Sequence, residues 1–265
     1  MQTPKKYRAE RKKEEILSEL GRSLKELQEE LSLEEQRMFR AICDEHRDGE
    51  LQYKFITFNY TDILDEFIKM AKSGKIDLGA HTSTGGHVRR HSLGEVHHVH
   101  GALMEGVVLG VNDETQINNE IFRKHGLFKN VFLKSNINSQ MGQRRTELAE
   151  EIIDKSQIIC IFGMSMGITD KRWWEKICVW LLSDPHKLLI IYTRSDEKLF
   201  KRRIPTQIIR ERERIRQEFW RKGRGNNPNN VYSTISSRII VVFNSKIFSF
   251  PNCSECDETG EVGSA

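Results

Sequence analysis

Long apolar runs are absent from this 265-residue chain. No stretch approaches the roughly 20 consecutive apolar residues that a membrane-spanning helix requires. The opening residues, MQTPKKYRAERKKEE, carry many charges and no apolar core, which argues against a secretory signal peptide. We therefore expect a cytoplasmic protein with no membrane partner.

Cysteines are also scarce, at five in the whole chain, and an odd number cannot all pair as disulfides. Three of them, Cys43, Cys160 and Cys178, lie within apolar helix or strand patterns, as reduced thiols of a cytosolic core do. Cys253 and Cys256 form one metal-type pair without a second, which is weak support for zinc. We therefore expect no disulfide framework and no metal site.

No large excess of either charge marks the chain, because its 42 basic and 38 acidic residues leave a formal net charge of +4. Nucleic-acid-binding proteins usually concentrate far more positive charge on one face. The basic segment 200–224 interleaves its arginines with Glu211, Glu213 and Glu218. This interleaving favours a solvated helix surface over a nucleic-acid interface.

The chain divides by pattern into three parts. Residues 1–50 predict a helical segment, in which four leucines recur at helical spacing (Leu17, Leu20, Leu24 and Leu27). Within it, SLEE at 32–35 has the form of a capping box that starts a second helix. Residues 51–250 predict an α/β domain, and residues 251–265 predict a disordered tail.

Short apolar runs alternate with helical patterns through the α/β part. Strands are predicted at 51–58 (LQYKFITF), 95–99, 106–109, 156–162 (SQIICIF), 187–192 and 238–243, with helices from Asp62, 143, Asp170 and 204. Residues 73–95 predict a loop or an irregular hairpin. The alternation indicates an α/β fold whose mostly parallel sheet is flanked by helices. Ligands of such sheets bind beyond the carboxyl ends of the strands.

Three polar clusters lie at or near predicted strand ends, at 59–62, 97–101 and 163–170. In the first, Asn59 is suited to hydrogen-bond a sugar hydroxyl. It is equally suited to an Asx turn, and either Asn59 or Thr61 would cap the following helix. Convergence of the three clusters predicts a binding pocket.

Six of the nine histidines lie between His81 and His100, which makes the second cluster unusual. Strand alternation places His98 and His100 on one face and leaves His97 on the other, where a surface position is expected. A histidine that leaves a strand beside a glycine, as His100 does beside Gly101, can act as a general base with a pKa near neutrality. A metal would need a third ligand, and a partly exposed hairpin histidine is the alternative.

The third cluster, GMSMG at 163–167, formally matches the nucleophile elbow of α/β-hydrolases around Ser165. Such enzymes place an acid and then a histidine later in the chain, whereas only His186 follows here, 21 residues on. A glycine turn before a helix is the other interpretation. Its free backbone N–H groups would bind phosphate or sugar oxygens.

The ordered set FNYT at 58–61, HVHG at 98–101 with Leu109-Gly110 after it, and IFGMSMGITD at 161–170 resembles the AbiH family of phage abortive-infection proteins. It is also similar to the wider sirtuin-like group of bacterial antiphage domains. The resemblance covers about residues 51–245. It implies a Rossmann-like, sirtuin-like domain that binds NAD.

Related sirtuin-like defence proteins hydrolyse NAD to nicotinamide and ADP-ribose, so the resemblance implies an antiphage effector with NAD as substrate or ligand. It implies that His100 acts on the nicotinamide-side ribose and that Asn59 contacts that ribose. The remaining nucleotide contacts that we expect are Thr61, Asp62, Gly101, Gly163, Ser165, Gly167 and Asp170. Gly163 and Ser165 would line the adenosine half, and the chain could form a homo-oligomer.

The chain departs from this family pattern in three ways. Members usually open with a strand and a glycine-rich turn of the type G-N-G-F-D that takes the pyrophosphate, and no such segment is present. Sirtuins place an aspartate two residues after the asparagine, where this chain has Thr61. Nothing like the two-pair zinc module of deacetylating sirtuins follows His100. The alternative is therefore a truncated or inactive relative, a non-catalytic module that senses a nucleotide or binds a partner.

Overall fold

The computed structural model describes residues 4–45, 50–83, 85–102, 110–111, 114–140, 144–167, 170–195 and 204–249. Its architecture is α/β, as predicted. No helix in these ranges is long and apolar enough to cross a membrane. The strand expected at 106–109 and the tail expected at 251–265 lie outside the described residues.

Two helices open the structure, α1 (Pro4–Lys25) and α2 (Leu33–Glu45). The capping box is confirmed: the Ser32 amide donates to Glu35 Oε2 at 2.8 Å, and the Glu35 amide donates to Ser32 Oγ at 3.4 Å. The leucine stripe is buried, with Leu20 and Leu24 of α1 and Leu27 just after it at most 6% exposed. Because this stripe needs an apolar partner, α1 lies against the strands described next.

The first sheet contains β1 (Leu51–Thr57), β2 (Ala80–Thr82) and β3 (Val88–His98) in the order β1-β3-β2. Strand β1 runs parallel to β3, and α3 (Ile63–Gly74) connects β1 to the β2–β3 hairpin. The short strand predicted at 95–99 therefore begins seven residues earlier, at Val88. The prediction was wrong because the extra segment, VRRHSLG, is mostly polar, and its register is set by the hairpin and by β1.

The second sheet consists of three parallel strands in the order β4-β5-β6, namely β4 (Ile158–Phe162), β5 (Leu188–Thr193) and β6 (Ile239–Phe243). All three were predicted, because each is a short apolar run bounded by polar residues. The crossover helices are α8 (Lys171–Ser183) and α9 (Pro205–Gly223). Between the sheets, the described residues form α4 (Glu120–Lys124), α5 (Gly126–Phe132), α6 (Lys134–Gln140) and α7 (Arg145–Lys155). Helix α10 (Tyr232–Ile235) precedes β6.

Both sheets share the same two apolar clusters. One cluster joins α1–α3 to Phe55 of β1, Ile158 of β4 and Leu188 of β5. The other joins α7–α9 to Ile56 of β1 and Ile161 of β4. The sheets thus lie within one layered structure, but no backbone hydrogen bonds pair β1 with β4 in the described ranges. The expected single sheet is therefore hydrogen-bonded as two three-stranded sheets, and only β2 is antiparallel to its neighbour.

Candidate functional site

The carboxyl ends of β1 and β3 lie side by side. Thr57 is the register partner of His98, and the Val99 amide donates to the Thr57 carbonyl at 3.1 Å. The Thr57 hydroxyl accepts a hydrogen bond from the Asn59 amide at 3.2 Å. Because the two strands are parallel, the segments that follow them leave the sheet at the same edge. This arrangement brings the first and second predicted clusters together.

His98 fixes the chain after β1. Its Nε2 lies 2.6 Å from Asp65 Oδ2 of α3, and its Nδ1 lies 3.2 Å from the Asn59 carbonyl oxygen. Through these two contacts the ring joins α3 to the backbone that follows β1. His98 is 8% exposed and holds the Asn59 backbone in place. Asp65 was not predicted, because an acidic residue in the first turn of a helix is ordinarily explained by the helix dipole.

His100 lies beyond β3 in an aromatic environment. It is 7% exposed, and its ring contacts Phe58 at 5.6 Å and Tyr60 at 6.0 Å between centroids. Gly101 follows with φ of +79°, a conformation that glycine adopts without the strain of a Cβ. Burial and, to a smaller extent, the positive charge of Lys134 on α6 lower the pKa of His100 to about 4. The imidazole is therefore neutral near pH 7. The expectation that the pKa of His100 lies near neutrality was wrong, because the ring is buried.

The stability of the fold is expected to depend on this histidine between pH 6.5 and 4. In that window the unfolded chain binds a proton at His100 that the folded chain does not. The free energy of unfolding therefore has its full value above pH 6.5 and decreases as the pH falls towards 4. The loss attributable to His100 is about 3 kcal/mol. Urea unfolding of wild type and His100→Gln at pH 7 and pH 4.5 measures it. An unchanged difference between the two proteins across this range would contradict the lowered pKa.

The side chains of Asn59, Thr61 and Asp62 are exposed beside the buried His100. Asp62 is the N-cap residue of α3, and no side chain caps that helix. The expectation that Asn59 or Thr61 would cap it was wrong, since the Asn59 amide and carbonyl are held by Thr57 and His98. The side chains of Asn59 and Thr61 therefore lie at the surface of the site.

The loop after β4 carries the third cluster. Gly163 has φ of +63° and open space where a Cβ would be, and Gly163 and Ser165 are exposed. Two carbonyl oxygens of the loop accept hydrogen bonds from neighbouring helices. Trp174 Nε1 of α8 donates to the Gly167 carbonyl at 3.2 Å, and Lys222 Nζ of α9 donates to the Met166 carbonyl. The loop is thus anchored to α8 and α9 while its glycine end faces outward.

Phe58 links the two parts of the candidate site. Its ring contacts His100 on one side and Trp173 of α8 on the other, at 5.4 Å and 78° between planes. Met164 and Met166 of the loop pack on the same apolar cluster as Phe58. Asp170 is the N-cap residue of α8, without a side-chain cap bond. Sequence reasoning missed Phe58 and Trp173, because an aromatic residue near a strand end or on an amphipathic helix is usually core.

The nucleophile-elbow alternative does not fit this topology. Ser165 follows the carboxyl end of β4, whereas His186 precedes the amino end of the parallel strand β5. The two residues therefore lie at opposite ends of the sheet, separated by a five-residue strand of about 16 Å. His186 instead lies 3.0 Å from Glu45 and its side chain is 59% exposed. Within the described residues, His186 therefore cannot act as the base of Ser165.

Metal and thiol chemistry find no support in the described ranges either. No three histidine, cysteine, aspartate or glutamate side chains there are grouped to hold a metal ion. The three cysteines predicted to be core thiols are free, as expected. Burial raises the pKa of Cys43 and Cys178 to about 11 and that of Cys160 to about 12. These thiols are therefore protonated and poor nucleophiles. Cys253 and Cys256 lie outside the described residues.

Comparison with known proteins gives one match. The family model described as "Bacteriophage abortive infection AbiH" matches residues 2–192. This range includes α1 and α2 as well as the segments after β1, β3 and β4, so the likeness extends further toward the N-terminus than the motifs alone indicate. No curated protein and no solved structure matches the chain.

Proposed function

Since the chain belongs to the AbiH family of bacteriophage abortive-infection proteins, we propose that it is a cytoplasmic antiphage effector that binds NAD or a related nucleotide. The ribose next to nicotinamide would lie over Asn59 and His100, with Thr61, Asp62 and Gly101 around it. The remainder of the dinucleotide would follow the loop Gly163–Gly167 toward Asp170. A sirtuin-like, Rossmann-like organisation of the two sheets is part of this proposal.

The observation that carries the proposal is that the exposed side-chain amide of Asn59 and the buried, neutral imidazole of His100 follow the ends of adjacent strands. A neutral imidazole accepts a hydrogen bond from a ribose hydroxyl, and the Asn59 amide offers both a donor and an acceptor. The rings of Phe58 and Tyr60 keep water from one side of His100. A site of this kind orients a sugar and limits the access of solvent to it.

The reaction proposed is hydrolysis of the nicotinamide–ribose bond. Nicotinamide leaves with the bonding electron pair, a water oxygen bonds to C1′, and the products are nicotinamide, ADP-ribose and a proton. Asn59 and His100 would hold the ribose hydroxyls and orient that water while positive charge develops on the sugar. The reaction itself requires no metal.

Binding without turnover is the second candidate, and the acidity of His100 favours it. A histidine with a pKa of about 4 is a weak base, since base catalysis is most efficient when the pKa lies near the working pH. The chain would then sense a nucleotide without cleaving it.

Calorimetric titration with NAD and chromatographic detection of nicotinamide test both candidates on the wild-type protein. An NAD hydrolase is expected to release nicotinamide from NAD but not from NADH, whose dihydronicotinamide is a poor leaving group. Saturable binding with no release would support the sensing module. Neither binding nor release, together with unimpaired plaque formation on cells that express the protein, would contradict the proposal.

A further inference from the structure

Exposed apolar side chains are concentrated on α4 and α5. Eleven large apolar side chains of the described residues are exposed to solvent, and five of them lie close together in the chain: Ile121, Phe122, Leu127, Val131 and Phe132. The other six are distributed one to a helix or strand. Single exposed apolar residues are ordinary on a protein surface, whereas a group of this size marks a contact site.

The sequence of α5 gives this helix a continuous apolar stripe. Its apolar residues are Leu127, Phe128, Val131 and Phe132, which occupy an arc of about 140° at about 3.6 residues per turn. An amphipathic helix of a globular protein normally turns such a stripe toward the core. Here Leu127 and Val131 are exposed, so this half of the stripe faces solvent.

The segment is attached to the rest of the protein at the end of α5. Leu133, directly after the helix, is buried, and the Val111 amide donates to the Phe132 carbonyl at 2.8 Å. Phe122 of α4 packs on Phe128 of α5 with 4.5 Å between ring centroids, which joins the two helices. Helices α4 and α5 therefore form one ordered apolar surface, the α4–α5 surface.

The charges around the α4–α5 surface are mainly positive. Segment 114–134 contains four basic and two acidic side chains, which give it a net charge of +2. Its two carboxylates contact three of the four cations, and Glu120 is shared by Arg123 and Lys124. The surface thus combines exposed apolar side chains with an excess of positive charge.

This combination decides between two occupants of the surface. In a two-fold contact with a second copy of the chain, the same patch lies on both partners, so the positive excess would face itself and oppose association. A membrane with anionic lipids offers a negative headgroup layer to the cations and an apolar interior to the Leu, Val and Phe side chains. The long side chains of Lys and Arg remain among the headgroups while their apolar neighbours enter the acyl region.

We propose that the α4–α5 surface binds a membrane that contains anionic lipids, with Leu127 and Val131 at the acyl boundary and Arg123, Lys124 and Lys129 among the headgroups. The expectation of no membrane partner rested on the lack of a spanning segment, and binding of this kind requires none. The proposal does not depend on nucleotide binding or on NAD cleavage.

Vesicle flotation of the full chain tests the proposal at pH 7. The protein is expected to float with vesicles that contain about one third phosphatidylglycerol and to bind pure phosphatidylcholine vesicles with an affinity roughly tenfold lower. A rise in salt concentration from about 0.05 M to 0.5 M is expected to weaken the binding, because salt screens the attraction of the headgroups. Binding to neither kind of vesicle, or equal binding to both, would overturn the proposal.

Two pairs of apolar residues with nearly the same exposure provide matched variants. Leu127 and Val131 are 66% and 57% exposed, and Ile209 of α9 and Val179 of α8 are 64% and 58% exposed. Leu127→Gln/Val131→Gln is expected to lower the affinity for anionic vesicles roughly tenfold or more, because each change removes apolar area from the acyl boundary. Ile209→Gln/Val179→Gln is expected to bind as the wild type does. Thermal unfolding checks that both variants fold.

Sedimentation equilibrium distinguishes membrane binding from self-association. A wild-type dimer that dissociates in Leu127→Gln/Val131→Gln, without binding to vesicles, would identify a second copy as the occupant and overturn the proposal. Equal vesicle binding by the two double variants would overturn it as well, since the α4–α5 surface would then make no contribution. A monomeric wild type that binds anionic vesicles through this surface supports it.

Discussion

Replacement of His100 with alanine is expected to lower nicotinamide release from NAD by roughly a hundredfold or more, the contribution usual for one positioned hydrogen-bonding group in a transition state. The neutral ring contacts Phe58 and Tyr60, the chain neighbours of the exposed Asn59, and it would hold a ribose hydroxyl and the attacking water there. Removal leaves that water without an acceptor. The measurement is the initial rate of nicotinamide release at saturating NAD, together with plaque formation on cells that express the variant.

Alanine at this position also opens a cavity between Phe58 and Tyr60, so controls must separate chemistry from folding. His100→Gln fills most of the space without an imidazole, and it is expected to bind NAD while cleaving it as poorly as the alanine variant does. His186→Ala removes an exposed histidine and is expected to cleave NAD at the wild-type rate. Wild-type activity in a folded His100→Ala protein would remove His100 from the reaction, and the NAD hydrolysis would then depend on other residues.

The parallel strands of the second sheet could be predicted because their apolar runs are short, uninterrupted and bounded. β3 could not be predicted over its full length, because Arg89, His91 and Ser92 form a polar sequence whose burial arises from packing against α2 and β1. His97 was expected at the surface, yet it is half-buried and its Nε2 lies 2.5 Å from the Arg145 carbonyl oxygen. Each miss has the same cause, namely that contacts with distant segments determine burial.

The position of the candidate site in the fold could be predicted from the sequence, but the chemical properties of its residues could not. Strand ends at Thr57 and His98 place Asn59 and His100 close together, as the α/β pattern implies. The partners that set their properties come from elsewhere: Asp65 from α3 holds His98, and Lys134 from α6 acts on His100. Sequence spacing contains no information on those charges. The pKa of His100 therefore had to come from the structure, and it changes the proposed role from a general base with a pKa near neutrality to a neutral hydrogen-bonding group.

Trp174→Ala is expected to cost about 3–5 kcal/mol of unfolding free energy, the range for truncation of a buried tryptophan. Trp174 is 1% exposed at the centre of the α7–α9 cluster, so the lost ring leaves a large cavity. Urea unfolding measures the effect. Val179→Ala on the same helix is the matched control, because Val179 is 58% exposed and its truncation is expected to change stability by less than about 0.5 kcal/mol.

Trp174→Phe separates the packing role of this residue from its contact with the Gly163–Gly167 loop. Phenylalanine retains most of the apolar volume, but it lacks the N–H group that donates to the Gly167 carbonyl at 3.2 Å. This variant is expected to fold, with a smaller loss of stability than the alanine variant, and to bind NAD more weakly because the Gly163–Gly167 loop is less well fixed. Wild-type NAD affinity in Trp174→Phe would show that the bond to Gly167 supports the core and not the binding loop.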